Sequence, residues 1–267
     1  MQDLTEFYAG PVALALLLVM LGASELGFIQ GKKRPVEERS FSMLGVLQGA
    51  MLGTLALLLG FTFSLAAERY DLRRSLMIEE SNRIGTTYLR TTLLTPESGA
   101  EMRKLLKVYL DLRLERVHLS SGDVQFTELT RRTLKTQVAM WRIASKEGRE
   151  YPNDSTALLI DALNRTIDIS QEQFAARKNR VPMSGMVLLS VTAILSALIL
   201  GFGFGIGRKR LFGVSLTFCA MVAAVIYTII DFDRPNRGFV RVPDEMLRTL
   251  HAEMTQALQR EEQRKAH

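Results

Sequence analysis

Few side chains in this sequence have the type and position to do chemistry, and most of them stand beside apolar runs. Glu25 lies near the end of the run Pro11–Ile29. A carboxylate at that depth is costly unless paired or wetted, so it could carry a proton or a cation across a membrane. Equally, it could reach headgroups or Lys32, because Gln30–Arg34 follow at once. Glu80 interrupts the apolar line Leu72, Leu76, Ile84 and Tyr88, whose four-residue spacing places them on one helix face. An unpaired carboxylate there would be expensive. An ion pair with an arginine of a neighbouring helix is therefore expected, and Glu79, Glu80, Arg90 and Arg113 are the residues expected to make structural pairs. Arg69, Arg73 and Arg74 follow directly on an apolar run, where their charge would attract anions. Asp231 and Asp233 are one residue apart and could offer oxygen ligands to a hard cation. The adjacent Arg234 and Arg237 argue for self-pairing instead.

Other chemistry has no foothold. His118, His251 and His267 are scattered, and no pair has metal-ligand spacing. There is no GxSxG, HExxH, P-loop or EF-hand loop. The glycines from Gly201 to Gly207 follow an apolar stretch rather than a strand, which excludes a nucleotide loop. No enzymatic activity or cofactor is expected, and no metal site beyond the possible cation pair Asp231 and Asp233.

The elements around these residues are helical. Four apolar blocks, Pro11–Ile29, Phe41–Ala67, Met183–Ile206 and Leu211–Ile230, are each long enough to cross a bilayer. The first lacks a basic stretch ahead of it, so a retained span is expected rather than a signal peptide. A net charge of +6 suits anionic headgroups. No aromatic-rich basic patch suggests nucleic acid. The single cysteine, Cys219, excludes an intrachain disulfide. The second block carries Gly45, Gly49 and Gly53 at four-residue spacing, which permits close helix approach. That approach could be to the first span within the chain, or around a symmetric axis.

No proline separates the second block from the charged stretch Glu68–Arg90, so one helix should leave the membrane unbroken and couple the two parts rigidly. Thr95-Pro96-Glu97 reads as a helix start with a capping hydroxyl. Helices are expected from there to about Leu119, over Val124–Lys146, and from the Asn153–Ser155 cap to Lys178. The soluble part is thus read as four helices. Pro243 to His267 is expected to be an amphipathic helix frayed at its end. The predicted domains are 1–67 (first hairpin), 68–181 (soluble), 182–231 (second hairpin) and 232–267 (C-terminal segment).

The chain resembles the DUF4239, or bestrophin-like, family of bacterial and plant membrane proteins. The matching pieces are Phe61–Asp71 (FTFSLAAERYD), Arg73-Arg74, Glu79–Ile84 (EESNRI), Tyr88–Arg90, Tyr109–Arg113 (YLDLR), Pro182 and Asp231–Gly238 (DFDRPNRG). More distantly, the order of parts and Leu59-Gly60-Phe61 resemble the bestrophin anion channels. That resemblance implies a pentamer whose pore is lined by the second span, with an apolar neck. Leu57 and Phe61 would be neck residues, and Gly53 and Ser64 would also line the pore. Gly53 departs from the bulky residue expected one turn away. Asp231 and Asp233 occupy the place of the calcium cluster of animal bestrophins, but their continuation is basic.

The expected protein is an all-α, multi-pass protein of a bacterial inner membrane: a homo-oligomer in the lipid bilayer that passes inorganic ions, anions above all. The alternatives are a non-conducting sensor or scaffold presenting the helical domain, and a transporter using Glu25. The flanking charges barely orient it. The hairpin links carry Lys32, Lys33, Arg34, Arg39, Arg208, Lys209 and Arg210, and the opposite face carries Arg69, Arg73, Arg74, Arg177, Lys178, Arg180, Arg234, Arg237 and Arg241. The resemblance places the soluble domain in the cytosol.

Overall fold

The computed structural model describes residues 9–34, 38–117, 119, 123–234, 240 and 242–266. Among them are eight α-helices and no strand: α1 (Ala9–Lys32), α2 (Glu38–Arg90), α3 (Pro96–Val117), α4 (Val124–Glu150), α5 (Asp154–Lys178), α6 (Met183–Ile206), α7 (Phe212–Asp233) and α8 (Glu245–Ala266). Among the described residues four segments are long and apolar enough to cross a membrane. The chain divides into two compact units, residues 1–70 with 180–240, and residues 71–179 with 241–267. Helix α2 contributes to both.

In the first unit α1, the N-terminal part of α2, α6 and α7 surround a core of Met20, Leu55, Leu189, Ala193, Ala197, Cys219, Val222 and Ile226. Helices α1 and α6 approach closely, and glycine makes this possible. A Cβ on Gly201 would sit 1.9 Å from Ser24 O, and one on Gly27 2.0 Å from Leu198 O. Gly31 and Gly205 meet the partner backbone in the same way. The glycine-rich end of the third span is thus a packing device. The glycines of α2 behave differently. Added Cβ atoms at Gly45, Gly49, Gly53 and Gly60 would meet nothing within 4 Å. The reading in which they pack against the first span is therefore corrected, because α6 occupies that contact.

In the second unit the core is built from Met77 and Ile84 of α2, Met102, Leu106, Tyr109 and Leu110 of α3, Met140 of α4, Leu159 and Leu163 of α5, and Leu247 and Met254 of α8. The expected four helices are five. Leu247 and Met254 recur at helical spacing and are 0% and 1% exposed, so α8 completes the core. Arg103 donates to both oxygens of Glu261, at 3.0 and 2.7 Å, which ties down turns expected to fray.

One helix start forms as expected, and two other helix ends depart from expectation. Asn153 caps α5 by accepting from Thr156 N at 2.9 Å. The Thr95 hydroxyl, expected to cap α3, instead donates to Glu147 Oε1 of α4 at 2.6 Å. Helix α4 also runs one turn past its predicted end, to Glu150.

Candidate functional site

Two faces of α2 differ in what covers them. Leu55 and Ala66 are buried in the first unit. On the same side Gln48 Nε2 donates to Ile199 O at 2.9 Å. Phe63 and Tyr70 lie against Phe232 of α7, at 5.7 and 5.5 Å between ring centroids. The other face is uncovered within the chain. It presents Ala50, Gly53, Thr54, Leu57, Phe61, Ser64 and Glu68, all exposed. Leu57 and Phe61 are 57% and 66% exposed. Helical spacing places them in one stripe, because residues three, four and seven apart share a face. The Thr54 hydroxyl bonds back to Ala50 O at 3.0 Å, and the Ser64 hydroxyl donates to Glu68 Oε1 at 3.3 Å. On this stripe small and hydroxyl-bearing residues flank Leu57 and Phe61, and the stripe ends in a carboxylate, unlike the unbroken bulky apolar surface that suits lipid tails.

The three arginines expected beyond this stripe do not share one environment. Arg69 reaches toward Asp233, with Nη1 3.9 Å from Oδ1 and side chains only 15% and 17% exposed. Arg73 is buried. Only Arg74 of the three is exposed. The acid that continues the Phe61 stripe is Glu68, which sequence reasoning passed over. Its signal was the spacing of seven from Phe61.

The aspartates at the end of α7 are engaged by backbone. Asp233 Oδ1 accepts from Val181 N at 2.8 Å. Asp231 is buried, and its Oδ2 accepts from Val240 N at 2.9 Å. No group of three or more metal-ligating side chains forms among the described residues. Arg237 lies outside the described residues. Glu25 accepts a hydrogen bond from Arg210 Nη2 at 2.7 Å rather than reaching Lys32. Arg210 also lies over the Phe28 ring, at 5.8 Å. A cleft of about 300 Å³ beside them is lined by Leu21, Ser24, Glu25, Arg210 and Ser215.

In the second unit Glu80 meets Arg113. Arg113 Nε donates to Oε1 and Nη2 to Oε2, the latter at 2.8 Å, and both side chains are fully buried. Tyr109 donates to Glu80 Oε1 at 3.2 Å. Burial, and then the Glu80 charge, push the Tyr109 phenol well above its ordinary range. Burial works against the charge on Arg113, but the carboxylate beside it prevails and holds its pKa up. Arg113 Nη2 also donates to Gln173 Oε1, whose amide donates to Leu76 O at 2.9 Å. Sequence reasoning missed Gln173, which shares the buried face of α5 with Thr166 and Ser170, polar residues that no apolar pattern marks as inward. Glu79 takes Arg83 at 2.6 Å, one turn along α2. Arg90 donates to Leu158 O at 2.6 Å and stands 3.8 Å from Asp161. The four expected pairing residues therefore split: Glu80 and Arg113 meet, while Glu79 and Arg90 take other partners.

The bestrophin-like domain family matches residues 38–247. Crystal structures of two variants of a bacterial bestrophin homologue from Klebsiella pneumoniae superpose with a TM-score of 0.67, at 16% identity, covering 92% of this chain and 98% of theirs. A crystal structure described only as a membrane protein gives 0.68 at the same identity and coverage. Identity at this level speaks to the fold alone. No curated protein matches the chain in sequence. The fold is that of the bacterial bestrophin homologue, and this chain belongs to the bestrophin-like domain family.

Proposed function

We propose that the protein is an oligomeric membrane channel whose pore is lined by α2. The observation that carries this reading is the uncovered stripe from Gly53 through Leu57, Phe61 and Ser64 to Glu68. Several copies placing that stripe toward one axis would cover the small residues and build an apolar neck of Leu57 and Phe61. Such a neck gates by dewetting. Gly45, Gly49, Gly53 and Gly60, whose added Cβ atoms would meet nothing within the chain, support packing around an axis. Five copies, a bacterial inner membrane and a cytosolic helical domain are the assembly that the family resemblance supports. Planar-bilayer recording of the purified protein is the test. Absence of conductance in both the wild type and Phe61→Ala refutes the channel.

The sign of the permeant ion has two supports that disagree. The resemblance favours anions, with Arg69, Arg73 and Arg74 attracting them at the neck exit. Glu68, on the Phe61 stripe, favours cations, because Arg69 and Arg73 turn into the packed side of the helix. The reversal potential in a potassium chloride gradient distinguishes them. A shift in Glu68→Gln supports the cation reading, and a shift only in Arg74→Gln supports anions.

A non-conducting scaffold is the rival that native mass spectrometry addresses, since a monomer or dimer would favour it over a ring. The carboxylate transporter rests on Glu25 and is dismissed if Glu25→Gln leaves transport unchanged.

A further inference from the structure

We propose that α3, α4 and α5 enclose a binding site for a small inorganic anion of halide size, held by Arg113, Arg116 and Arg177. The site lies in the helical unit and is independent of the pore reading.

The residues converge by simple spacing. Arg113, Arg116 and Val117 occupy one face of the last turns of α3. Gln173 and Arg177 occupy one face of α5, four residues apart. The two faces are joined twice. Arg113 donates to Gln173, and Arg177 Nη2 donates to Val117 O at 3.1 Å. Phe126, on the first turn of α4, closes the junction. The guanidinium carbons of Arg116 and Arg177 lie 5.6 and 5.9 Å from its ring centre.

Donors are left over at this junction. Arg113 is 0% and Arg116 5% exposed. Arg113 Nη1, Arg116 Nε and Arg177 Nη1 are all buried without an acceptor. Other nitrogens of these side chains are engaged by Glu80, Gln173, Val117 O and Thr130 Oγ1, the last at 3.4 Å. Buried N–H groups of native proteins find acceptors. Water supplies two lone pairs and no charge. The charge is the second argument. Among the described residues, Glu80 is the carboxylate bonded to this cluster, and Arg113 engages both of its oxygens. Glu115, Asp168 and Glu172 on the same helices are exposed. An excess of buried cations with spare donors calls for an anion. Phe126 and Phe174 stack at 6.4 Å beside the junction, which suits a monoatomic anion better than an organic one. Arg177 supports the same conclusion. Burial first, and then the neighbouring Arg113, push its pKa down to about 10.

Bromide is the probe. Crystals of the full chain grown in sodium bromide should show an anomalous peak within hydrogen-bonding distance of Arg113 Nη1 and Arg177 Nη1. The absence of a peak there, with bromide in the mother liquor, overturns the proposal. In solution, replacing gluconate by bromide at constant ionic strength should raise Tm saturably in the wild type and not in Arg177→Met. A non-saturating effect, or one equal in both proteins, also overturns it. If Arg177→Met does not fold, the wild-type diffraction decides.

Discussion

Glu80 of α2 and Arg113 of α3 hold each other through two hydrogen bonds in a place where neither side chain has any exposure. Such a pair contributes little net stability while intact, because both charges have been taken out of water. Removing one partner is different, since it leaves the other charge buried alone. Glu80→Gln is expected to cost about 3–5 kcal/mol of stability. The double variant Glu80→Met with Arg113→Met is expected to recover most of it. Chemical denaturation of the purified chain, followed by circular dichroism, measures both. A loss in the double variant equal to that in the single one contradicts the pairing argument.

Phe61→Ala shortens a side chain that projects from the uncovered face of α2, at 66% exposure. A wider neck wets more readily, so unitary conductance in planar bilayers is expected to rise above wild type. The opposite face of the helix should respond through stability instead. Ala66 is fully buried, so Ala66→Leu should overpack the core, cost about 1–3 kcal/mol and lower the yield of folded protein.

Glycines on different helices should respond in opposite ways. Gly201→Val places a Cβ where Ser24 O already is, at 1.9 Å, and must force α1 and α6 apart. Loss of folded protein by size-exclusion chromatography is expected. Gly53→Ala meets nothing within the chain. It should leave the isolated subunit as stable or gain about 0.5–1 kcal/mol from helix propensity. A changed oligomer size or conductance in Gly53→Ala would locate the contact between copies.

Acid should weaken the junction of α3 and α4 through Glu147. Burial raises its pKa, but hydrogen bonds from Ser98 and Thr95 outweigh burial and leave it below the ordinary carboxylate range. A depressed carboxylate pKa stabilises the fold above the unfolded-state pKa, and that contribution is lost as pH falls through the folded-state value. Wild-type Tm should therefore fall more steeply than that of Glu147→Gln as pH drops through and below the carboxylate range. Parallel profiles would show that the hydrogen bonds to Thr95 do not matter.

Fold class was legible in the order of residues alone. Four long apolar blocks, periodic polar segments without strand alternation, and an unbroken run from Phe41 to Arg90 leave little but a helical membrane protein, because period and length are local properties of a chain. The sequence also marked Glu80 as a carboxylate in need of a partner. What it left open was decided by contacts between helices far apart in sequence. Only the tertiary structure shows that the close-approach glycines belong to α1 and α6 rather than α2, since a small-residue pattern states that a helix can be approached and not which neighbour approaches it. Only the folded chain turns Arg69 toward Asp233 while leaving Glu68 on the uncovered face. Only it brings α8 into the core through Leu247 and Met254, and Arg177 beside Arg113 and Phe126. Those outcomes depend on which faces meet, and that is a property of packing rather than of any one segment.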